Sequence, residues 1–312
     1  MPKLSIVLAS KNQACFARET MAYLQSQTFK DYEIIAVDSF STDGTDKILK
    51  KNKRTKLFKI KCSAEEGYKI GLTKASGKYV MWATTSDYIL MRNWIEIAIQ
   101  ELERNLNISL VWGSSFDVSE KGDKLVGLWK KKFLENQPPD QLNFLPYFLW
   151  YSYFPELNYI ISKKVLIDCL KDKNQSSRNL TMWSKINYNF IAKGFLPKYI
   201  KAMAHVGRRH KNSLSISDKK TNDLEKAILI KKKLAFLYNF FLAKKRFTLK
   251  NQMCSKIYEI SKIDRYKILT KTGIFGIIVS AEYIVGIFDK TAAACLRLMH
   301  KFAGNIKLKQ FI

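Results

Sequence analysis

Two aspartates, Asp38 and Asp87, each follow an apolar run of the kind that forms a buried strand. Ile34–Val37 is rich in β-branched residues, a composition typical of a parallel strand that is covered on both faces. Tyr79–Ala83 has the character of another core strand. In open α/β sheets, ligands bind beyond the carboxyl ends of the strands, where a carboxylate can accept hydrogen bonds from a base or a ribose. The sequence therefore predicts a ligand site where these two strands end.

The same residues also allow a purely structural interpretation. Asp87 could cap a helix over Met91–Asn105, and Asp38 could do no more than close a turn. Ser41 and Thr42 could cap a helix that runs through Lys47 to Lys51. Asp43 would then lie near the positive end of that helix.

Elements on either side of these strands predict an α/β fold. Leu4–Ala9 is a first strand, and an amphipathic helix follows over about Cys15–Gln27. Polar and apolar residues alternate along much of Lys56–Cys62, which predicts an outer strand with one face exposed to solvent. A mostly parallel sheet flanked by helices would bring the ends of these strands to one edge.

Composition indicates a folded, basic protein. The chain has 312 residues and is 47% hydrophobic, enough for one large α/β domain with an appendage. Its 54 basic and 27 acidic residues give a formal net charge of +27. This imbalance favours anionic partners such as nucleotide phosphates or acidic lipid headgroups, although a lysine-rich surface can also reflect solubility alone. The sequence offers no motif for binding nucleic acid.

Cysteine usage and the start of the chain favour the cytoplasm. The five cysteines are scattered and lack CxxC spacing, so they predict neither a disulfide framework nor a zinc site. The apolar stretch in MPKLSIVLASKN is too short for a signal peptide.

Glu33–Thr45, EIIAVDSFSTDGT, resembles the VDDGSTDGT or VDSGSTDGT signature of family 2 glycosyltransferases. Leu4–Asn12 resembles the opening strand of that family, and AYLQSQTFKDYEII resembles its passage from helix to strand. The chain departs from the family pattern at Phe40, where a turn glycine is usual, and at Ala9 and Lys11, where a proline and an aromatic are usual.

The resemblance implies a GT-A-like, Rossmann-like α/β fold and a nucleotide-sugar donor. It places Asp38 on the base or ribose, as a strand-end carboxylate that the core does not need. The nucleotide-binding residues that it implies around the first two strands are Ala9, Asn12, Asp38, Ser41 and Asp43.

The segment Thr84–Asp87 resembles the "LDADD" or "LNSDD" stretch whose aspartates bridge a divalent cation to the diphosphate. The family therefore implies Mn²⁺ or Mg²⁺ held by Asp87. Thr84 and Ser86 replace the first two acids, however, and hydroxyls are weaker ligands than carboxylates. We therefore expect any catalysis to depend less on metal than is usual for the family.

Two later segments carry the remaining site residues. HVGRRHKNSLS resembles the family's "R.H..S.S" segment, which would place Arg208, Arg209, His210 and Ser213 at the leaving diphosphate; the alternative is a basic surface loop. In Asn179–Phe195, Met182 and Trp183 stand near the position of the acids that start the family's catalytic helix, so this helix supplies no base. The catalytic residues implied by the resemblance are thus Asp87, Arg208 and His210.

The predicted organisation is a GT-A domain over residues 1–217 and a basic helical region over residues 218–312. The apolar stretch Gly273–Phe288 is too short to span a bilayer, and it could lie on an anionic leaflet or pack against the first domain. The family implies an inverting transfer to a glycan or glycolipid acceptor, by a cytoplasmic enzyme that could be peripheral at the inner membrane face. The alternatives are a non-catalytic binder of nucleotide sugars with the same fold and, more distantly, a basic nucleic-acid-binding protein.

Overall fold

The computed structural model describes residues 1–129, 159–171 and 180–210, the single positions 228 and 232, and the segments 247–251 and 256–260. The predicted phosphate-side residue Ser213 and the apolar stretch Gly273–Phe288 lie outside the described residues. Within the region predicted to be helical, Phe247–Asn251 (β10) and Lys256–Ile260 (β11) form an antiparallel pair. The helix prediction is therefore wrong for these two segments.

One nine-stranded mixed sheet forms the centre of the fold. Its main path runs in the order β3-β2-β1-β4-β8-β6-β9-β5, and β7 pairs with β6. The strands are β1 Leu4–Ser10, β2 Tyr32–Asp38, β3 Thr55–Lys59, β4 Tyr79–Thr84, β5 Tyr88–Ile89, β6 Ile108–Val118, β7 Leu125–Trp129, β8 Tyr159–Ser162 and β9 Leu196–Arg208. As predicted, β3 lies at an edge of the sheet.

Helices cover both faces of this sheet, and two buried apolar clusters lie between the layers. The helices are α1 Ala14–Ser26, α2 Thr45–Lys50, α3 Ala64–Lys74, α4 Trp94–Arg104, α5 Lys163–Leu170 and α6 Met182–Ala192. One cluster contains residues of α1, α2 and α4, and the other contains residues of α3, α5 and α6. The alternation of β1 explains this division, since Ile6 belongs to the first cluster and Val7 to the second.

Glycine lets α3 pack close to the sheet. A Cβ added at Gly71 would lie 2.4 Å from Cγ1 of Val7, and one added at Gly67 would lie 3.1 Å from Cβ of Ala9. The helix starts with a capping box in which Ser63 and Glu66 satisfy each other's main-chain N–H groups. This close approach fixes α3 beneath the ends of β1 and β2.

The topology brings the predicted chemistry to one edge of the sheet. Strand β1 pairs in parallel with both β2 and β4, and it places Ser10 opposite Asp38 and Ala9 opposite Thr84. Neighbouring strands are about 4.8 Å apart, so Asp38 and Thr84 flank the end of β1 at roughly 10 Å from each other. The segments that follow β1, β2 and β4 therefore form one continuous rim.

Candidate functional site

Asp38 lies at the end of β2, where its carboxylate is fully buried. Oδ1 accepts hydrogen bonds from the hydroxyls of Ser10 at 3.0 Å and Ser41 at 2.5 Å, and Oδ2 accepts one from the main-chain N–H of Ser41 at 2.8 Å. The expectation that the core does not need Asp38 is therefore wrong, because this side chain holds the turn that follows β2. Contact between Asp38 and a base or ribose stays a prediction.

Hydrogen bonds join the segment after β1 to the segment after β2. The main-chain N–H of Asn12 donates to Oγ of Ser41 at 2.9 Å, and Oδ1 of Asn12 accepts from the N–H of Thr42 at 2.9 Å. The N–H of Gln13 donates to Oγ1 of Thr45 at 2.8 Å. We call residues 10–13 and 38–45 together the paired loops. Each loop supplies groups that the other needs, so the two form a single surface.

Asp43 joins the starts of two helices within the paired loops. Its Oδ2 accepts the N–H of Ala14, the first residue of α1, at 2.8 Å, and its Oδ1 accepts the N–H and hydroxyl of Thr45. Burial opposes ionisation of Asp43, yet the hydrogen bonds from Thr45 and Ala14 hold its pKa below the ordinary value. The prediction of an acid near the start of α2 is therefore confirmed.

The prediction that Ser41 and Thr42 cap α2 is wrong. The helix begins at Thr45 after Gly44, whose φ of 91° lies in the left-handed region, and the side chain that accepts its first N–H is that of Asp43. Ser41 binds Asp38 instead, and the N–H of Thr42 binds Asn12. Ser41 and Thr42 thus use their hydrogen bonds within and between the two loops instead of on α2. The helix therefore begins later in the chain than predicted caps at these positions would require.

A compact turn, Thr84–Asp87, follows β4. Oγ1 of Thr84 accepts the main-chain N–H groups of Ser86 at 3.3 Å and Asp87 at 3.1 Å. The hydroxyl of Thr20 on α1 donates to the main-chain oxygens of Thr85 and Asp87, at 3.0 and 2.7 Å. The turn is thus held by the side chain of Thr84, which belongs to it, and by the hydroxyl of Thr20 on α1.

The carboxylate of Asp87 faces β9. Its Oδ1 accepts the main-chain N–H of Arg208 at 2.9 Å, and its Oδ2 lies 3.5 Å from Nε2 of His205. Burial favours the neutral carboxyl, but the adjacent His205 and the N–H of Arg208 hold the pKa of Asp87 below its ordinary value. The alternative in which Asp87 caps a helix is wrong, because α4 begins only at Trp94, with Asn93 before it.

Arg208 ends β9 with its side chain only 6% exposed. The guanidinium donates to the main-chain oxygens of Ser86 and Glu120 and to the carboxylate of Glu19. It also lies over the rings of Phe16 and Tyr88, with Cζ at 5.1 and 5.7 Å from the ring centroids. These contacts join four segments, so the alternative of a surface loop is wrong for this residue. Its role at a diphosphate stays a prediction.

The guanidinium of Arg209 is the more accessible of the two, with its side chain 42% exposed. Its Nε donates to Oδ2 of Asp117 at 2.9 Å. His210 is buried, and its ring packs on Phe16 with centroids 5.2 Å apart. The structure thus turns the two adjacent arginines to different partners, one on α1 and one on β6.

The polar groups after β4 fit a divalent cation poorly. They comprise one carboxylate, Asp87, and the neutral hydroxyls of Thr84 and Ser86, which lie 3.2 Å from each other. One oxygen of Asp87 already accepts an N–H, and the other faces His205. Within the described parts of the chain, no cluster of three or more His, Cys, Asp or Glu side chains is placed to hold a metal ion.

The helix that carries the catalytic acid in many family members begins here with apolar residues. Thr181 caps α6 through the N–H of Ser184, Met182 is fully buried, and Trp183 is half-buried. Trp183 packs edge-on against Tyr68 and Trp82, with centroids 5.3 and 5.6 Å away. The positions expected for a carboxylate therefore serve to pack α6 onto α3 and β4.

Sequence reasoning missed the partners that organise the rim: Glu19, Thr20, Asp117 and His205. The residues Glu19 and Thr20 lie on α1, next to residues that follow its apolar periodicity, so nothing local indicated their role. Of the predicted residues, the paired loops bring together Asn12, Asp38, Ser41 and Asp43, with Ala9 on β1 just before them, whereas β9 brings Arg208 to Asp87. Across the described residues, no helix is both long enough and apolar enough to cross a bilayer.

Comparison with known proteins identifies relatives of the chain. The model of the family "Glycosyl transferase family 2" matches residues 5–161. An uncharacterized glycosyltransferase of Rickettsia conorii is 28% identical over 148 residues, covering 46% of this chain and 24% of that protein. One of Haemophilus influenzae is 30% identical over 116 residues, covering 35% and 43%. The GalNAc(5)-diNAcBac-PP-undecaprenol beta-1,3-glucosyltransferase of Campylobacter jejuni is 32% identical over 98 residues, covering 29% and 31%. The chain thus spans less than half the length of these relatives.

Solved structures show the same fold. Staphylococcus aureus TarS residues 1–349 in complex with UDP-GlcNAc align with a TM-score of 0.63 and 12% identity, covering 94% of this chain and 84% of that one. The complex of the same TarS segment with UDP aligns with a TM-score of 0.56 and 13% identity, covering 86% and 70%. The predicted GT-A-like α/β fold is confirmed.

Proposed function

Because the chain belongs to glycosyl transferase family 2, we propose that it transfers a sugar from a nucleotide-sugar donor to an acceptor hydroxyl. The observation that carries this proposal is the pair of loops at the carboxyl ends of β1 and β2. Two segments that resemble the family, Leu4–Asn12 and Glu33–Thr45, end there, and hydrogen bonds from Asn12, Gln13 and Ala14 hold them as one surface. Ligands of open α/β sheets bind at such an edge.

On the donor side, we assign the nucleoside to the paired loops. Asp38 accepts three hydrogen bonds, which leaves one acceptor position of about four on an ionised carboxylate. A base or ribose can use that position only when the turn after β2 moves, since Asp38 is fully buried. Asp38 therefore acts first by fixing Ser41, and through it Asn12, in the geometry that meets the nucleoside.

On the diphosphate side, we assign the binding of the negatively charged diphosphate to Arg209. Its side chain is the more exposed of the two arginines, whereas the guanidinium of Arg208 is bound to Glu19 and to main-chain oxygens. A bidentate guanidinium can stabilise the charge that develops on a leaving diphosphate. Because the hydroxyls and single carboxylate after β4 fit a cation poorly, we propose that the chain relies on this charge more than on Mn²⁺ or Mg²⁺.

The transfer itself is a displacement at the anomeric carbon of the sugar. The acceptor oxygen forms a bond to that carbon, the bond to the diphosphate oxygen breaks with its electron pair, and the acceptor proton passes to a base. The family expectation is inversion at this carbon. Since Met182 and Trp183 occupy the start of α6, the base has to come from outside that helix.

For the acceptor, we propose a glycan or glycolipid. The Campylobacter jejuni relative is named as a glucosyltransferase that acts on GalNAc(5)-diNAcBac-PP-undecaprenol, a glycan joined to a lipid. A non-catalytic protein that only binds nucleotide sugars is the second candidate, because apolar side chains stand where acids are usual at the start of α6. Family membership leaves the net charge as the only feature in favour of a nucleic-acid-binding protein.

The test is calorimetric binding of UDP, GDP and TDP sugars, each in chelator and in Mn²⁺ or Mg²⁺, followed by measurement of sugar transfer or donor hydrolysis. We expect one nucleotide to bind and its sugar to be released or transferred. Asp38→Asn should weaken binding, whereas Asp31→Asn, on the exposed residue before the opposite end of β2, should not. Binding without turnover under any condition would favour the second candidate, and no binding of any nucleotide sugar would contradict both.

A further inference from the structure

Phe40 combines two properties that are unfavourable for a phenylalanine. Its φ of 53° lies in the left-handed region, which disfavours any residue with a Cβ and is exceptional for a bulky one. Its side chain is also 57% exposed. Among the residues whose burial the structure describes, no other aromatic side chain is as exposed. Glycine would adopt this backbone without strain and would expose no apolar surface.

Both neighbours of Phe40 are fixed, so the ring cannot settle into the core by a small movement of the chain. The N–H of Ser39 donates to the main-chain oxygen of Ser10 at 2.9 Å, and its hydroxyl donates to that of Cys62 at 2.9 Å. On the other side, Ser41 donates both its N–H and its hydroxyl to Asp38. The turn therefore holds the ring outward at the rim, beside the buried carboxylate.

The paired loops otherwise offer no flat apolar surface to a ligand. Their other residues are polar, small or charged: Ser10, Lys11, Asn12, Gln13, Asp38, Ser39, Ser41, Thr42, Asp43, Gly44 and Thr45. A nucleobase has two apolar faces, and stacking on an aromatic side chain is the usual way to bury one of them. The loop containing Lys11 is bound to the loop containing Phe40 through Asn12, so the two loops offer a ligand one surface.

We propose that the ring of Phe40 is the surface on which the base of the nucleotide donor stacks. This inference rests on the proposed function and names the contact that the base makes. The strained turn persists because it presents the ring at the rim, where one face of the base can stack on it. Strain of this kind occurs at ligand sites, where the surrounding structure fixes it.

The test compares Phe40→Gly and Phe40→Tyr with the wild type. Calorimetry would measure binding of the nucleoside diphosphate that the wild type prefers and of inorganic pyrophosphate, which lacks a base. Phe40→Gly should lower the affinity for the nucleoside diphosphate by about fivefold to a hundredfold, the range for loss of one base-to-aromatic contact. It should leave pyrophosphate unchanged and keep or raise the melting temperature, because glycine relieves the left-handed strain. Phe40→Tyr should bind as the wild type does.

Leu106→Gly is the matched control, since Leu106 is 73% exposed and lies before the start of β6, away from the rim. It should not change nucleotide affinity. The proposal is overturned if Phe40→Gly binds the nucleoside diphosphate as tightly as the wild type, which would leave the exposed ring free for a protein or lipid partner. Equal weakening of pyrophosphate would overturn it too, because the loop geometry would then be responsible. If the wild type binds no nucleotide, the proposed function itself fails.

Discussion

The carboxylate of Asp87 accepts a hydrogen bond from the main-chain N–H of Arg208, at 2.9 Å and across 121 residues of sequence. This bond fastens the turn after β4 to the end of β9. Because Arg208 contributes its backbone to Asp87 and its guanidinium to Glu19, Ser86 and Glu120, one residue organises both sides of the turn. Arg209, the next residue, turns to Asp117 and remains accessible.

The two arginines should respond differently to substitution. Arg208→Ala keeps the main-chain bond to Asp87 but loses the buried guanidinium, and we expect it to lower the free energy of unfolding by about 1.5–3 kcal/mol. Arg209→Ala should slow transfer by about tenfold to a hundredfold, the effect of losing one charge-assisted hydrogen bond to the diphosphate. Urea unfolding and initial rates measure the two quantities.

Two further variants separate the causes. Asp117→Asn loses the ion pair but keeps the guanidinium of Arg209, so it should transfer at nearly the wild-type rate. Lys69→Ala removes an exposed pair with Glu65 and should change stability by less than about 0.5 kcal/mol. Our assignment of the arginines is wrong if Arg208→Ala is as stable as the wild type and Arg209→Ala is fully active.

Chelation should reduce turnover only modestly. The turn after β4 offers one carboxylate whose oxygens already face Arg208 and His205, together with two hydroxyls. We therefore expect rates in EDTA and in added Mn²⁺ to agree within about tenfold, which is about 1.4 kcal/mol in barrier height. A protein that is inactive in EDTA, restored by Mn²⁺ and indifferent to Arg209→Ala would show that Asp87 anchors a metal.

Glu33 should make the fold sensitive to acid. Burial opposes its ionisation, but donors from Lys56, Ser76 and Ser5 hold the pKa of Glu33 at about 2, against an ordinary value of 4.5. A carboxyl whose pKa is depressed by folding stabilises the protein above its unfolded pKa and loses that contribution as the pH falls toward the folded pKa. The shift corresponds to roughly 3 kcal/mol.

The measurement is urea unfolding of wild type and Glu33→Gln between pH 7 and pH 2.5. The wild type should be more stable near pH 7, and the difference should shrink steadily below pH 4.5. Glu65→Gln, a substitution on the outer surface of α3, serves as the control and should follow the wild type. A difference between Glu33→Gln and wild type that does not change with pH would show that packing, rather than charge, makes Glu33 important.

Removal of the chain after Ser217 should abolish binding to anionic lipid. The removed part is basic and contains the apolar stretch Gly273–Phe288, so its sequence combines the positive charge and the apolar surface that favour an anionic interface. Co-sedimentation with vesicles of anionic and of neutral lipid would measure binding of the full-length and truncated chains. If both chains sediment alike with anionic vesicles, the C-terminal region has a structural role instead.

The sequence predicts the architecture well because local and global signals agree in the first half of the chain. The β-branched run before Asp38 and the glycines of α3 each have one good structural solution, and the structure adopts it. The interior of the site was harder to predict. The sequence predicted a carboxylate at Asp38 that is free to bind a ligand. A carboxylate buried at the end of β2 needs hydrogen-bond donors from the protein, however, and Ser10 and Ser41 provide them.

Long-range pairs account for the rest of what the sequence did not reveal. Glu19 and Arg208 are 189 residues apart, and no periodicity or motif connects them. His205 begins the segment HVGRRHKNSLS, but the family pattern there rests on other residues, so no motif pointed to it. Only the pairing of β5 with β9, which sets Ile89 opposite His205, brings that side chain to the turn after β4.

Hydrogen–deuterium exchange with and without the bound nucleotide sugar tests the central claim most directly, because it locates the ligand without requiring turnover. At saturating donor, we predict slower exchange in peptides that contain residues 10–14, 38–45 and 84–88, and no change in peptides that cover α4. Protection confined to other parts of the chain, or none in a sample shown by calorimetry to be saturated, would contradict the account.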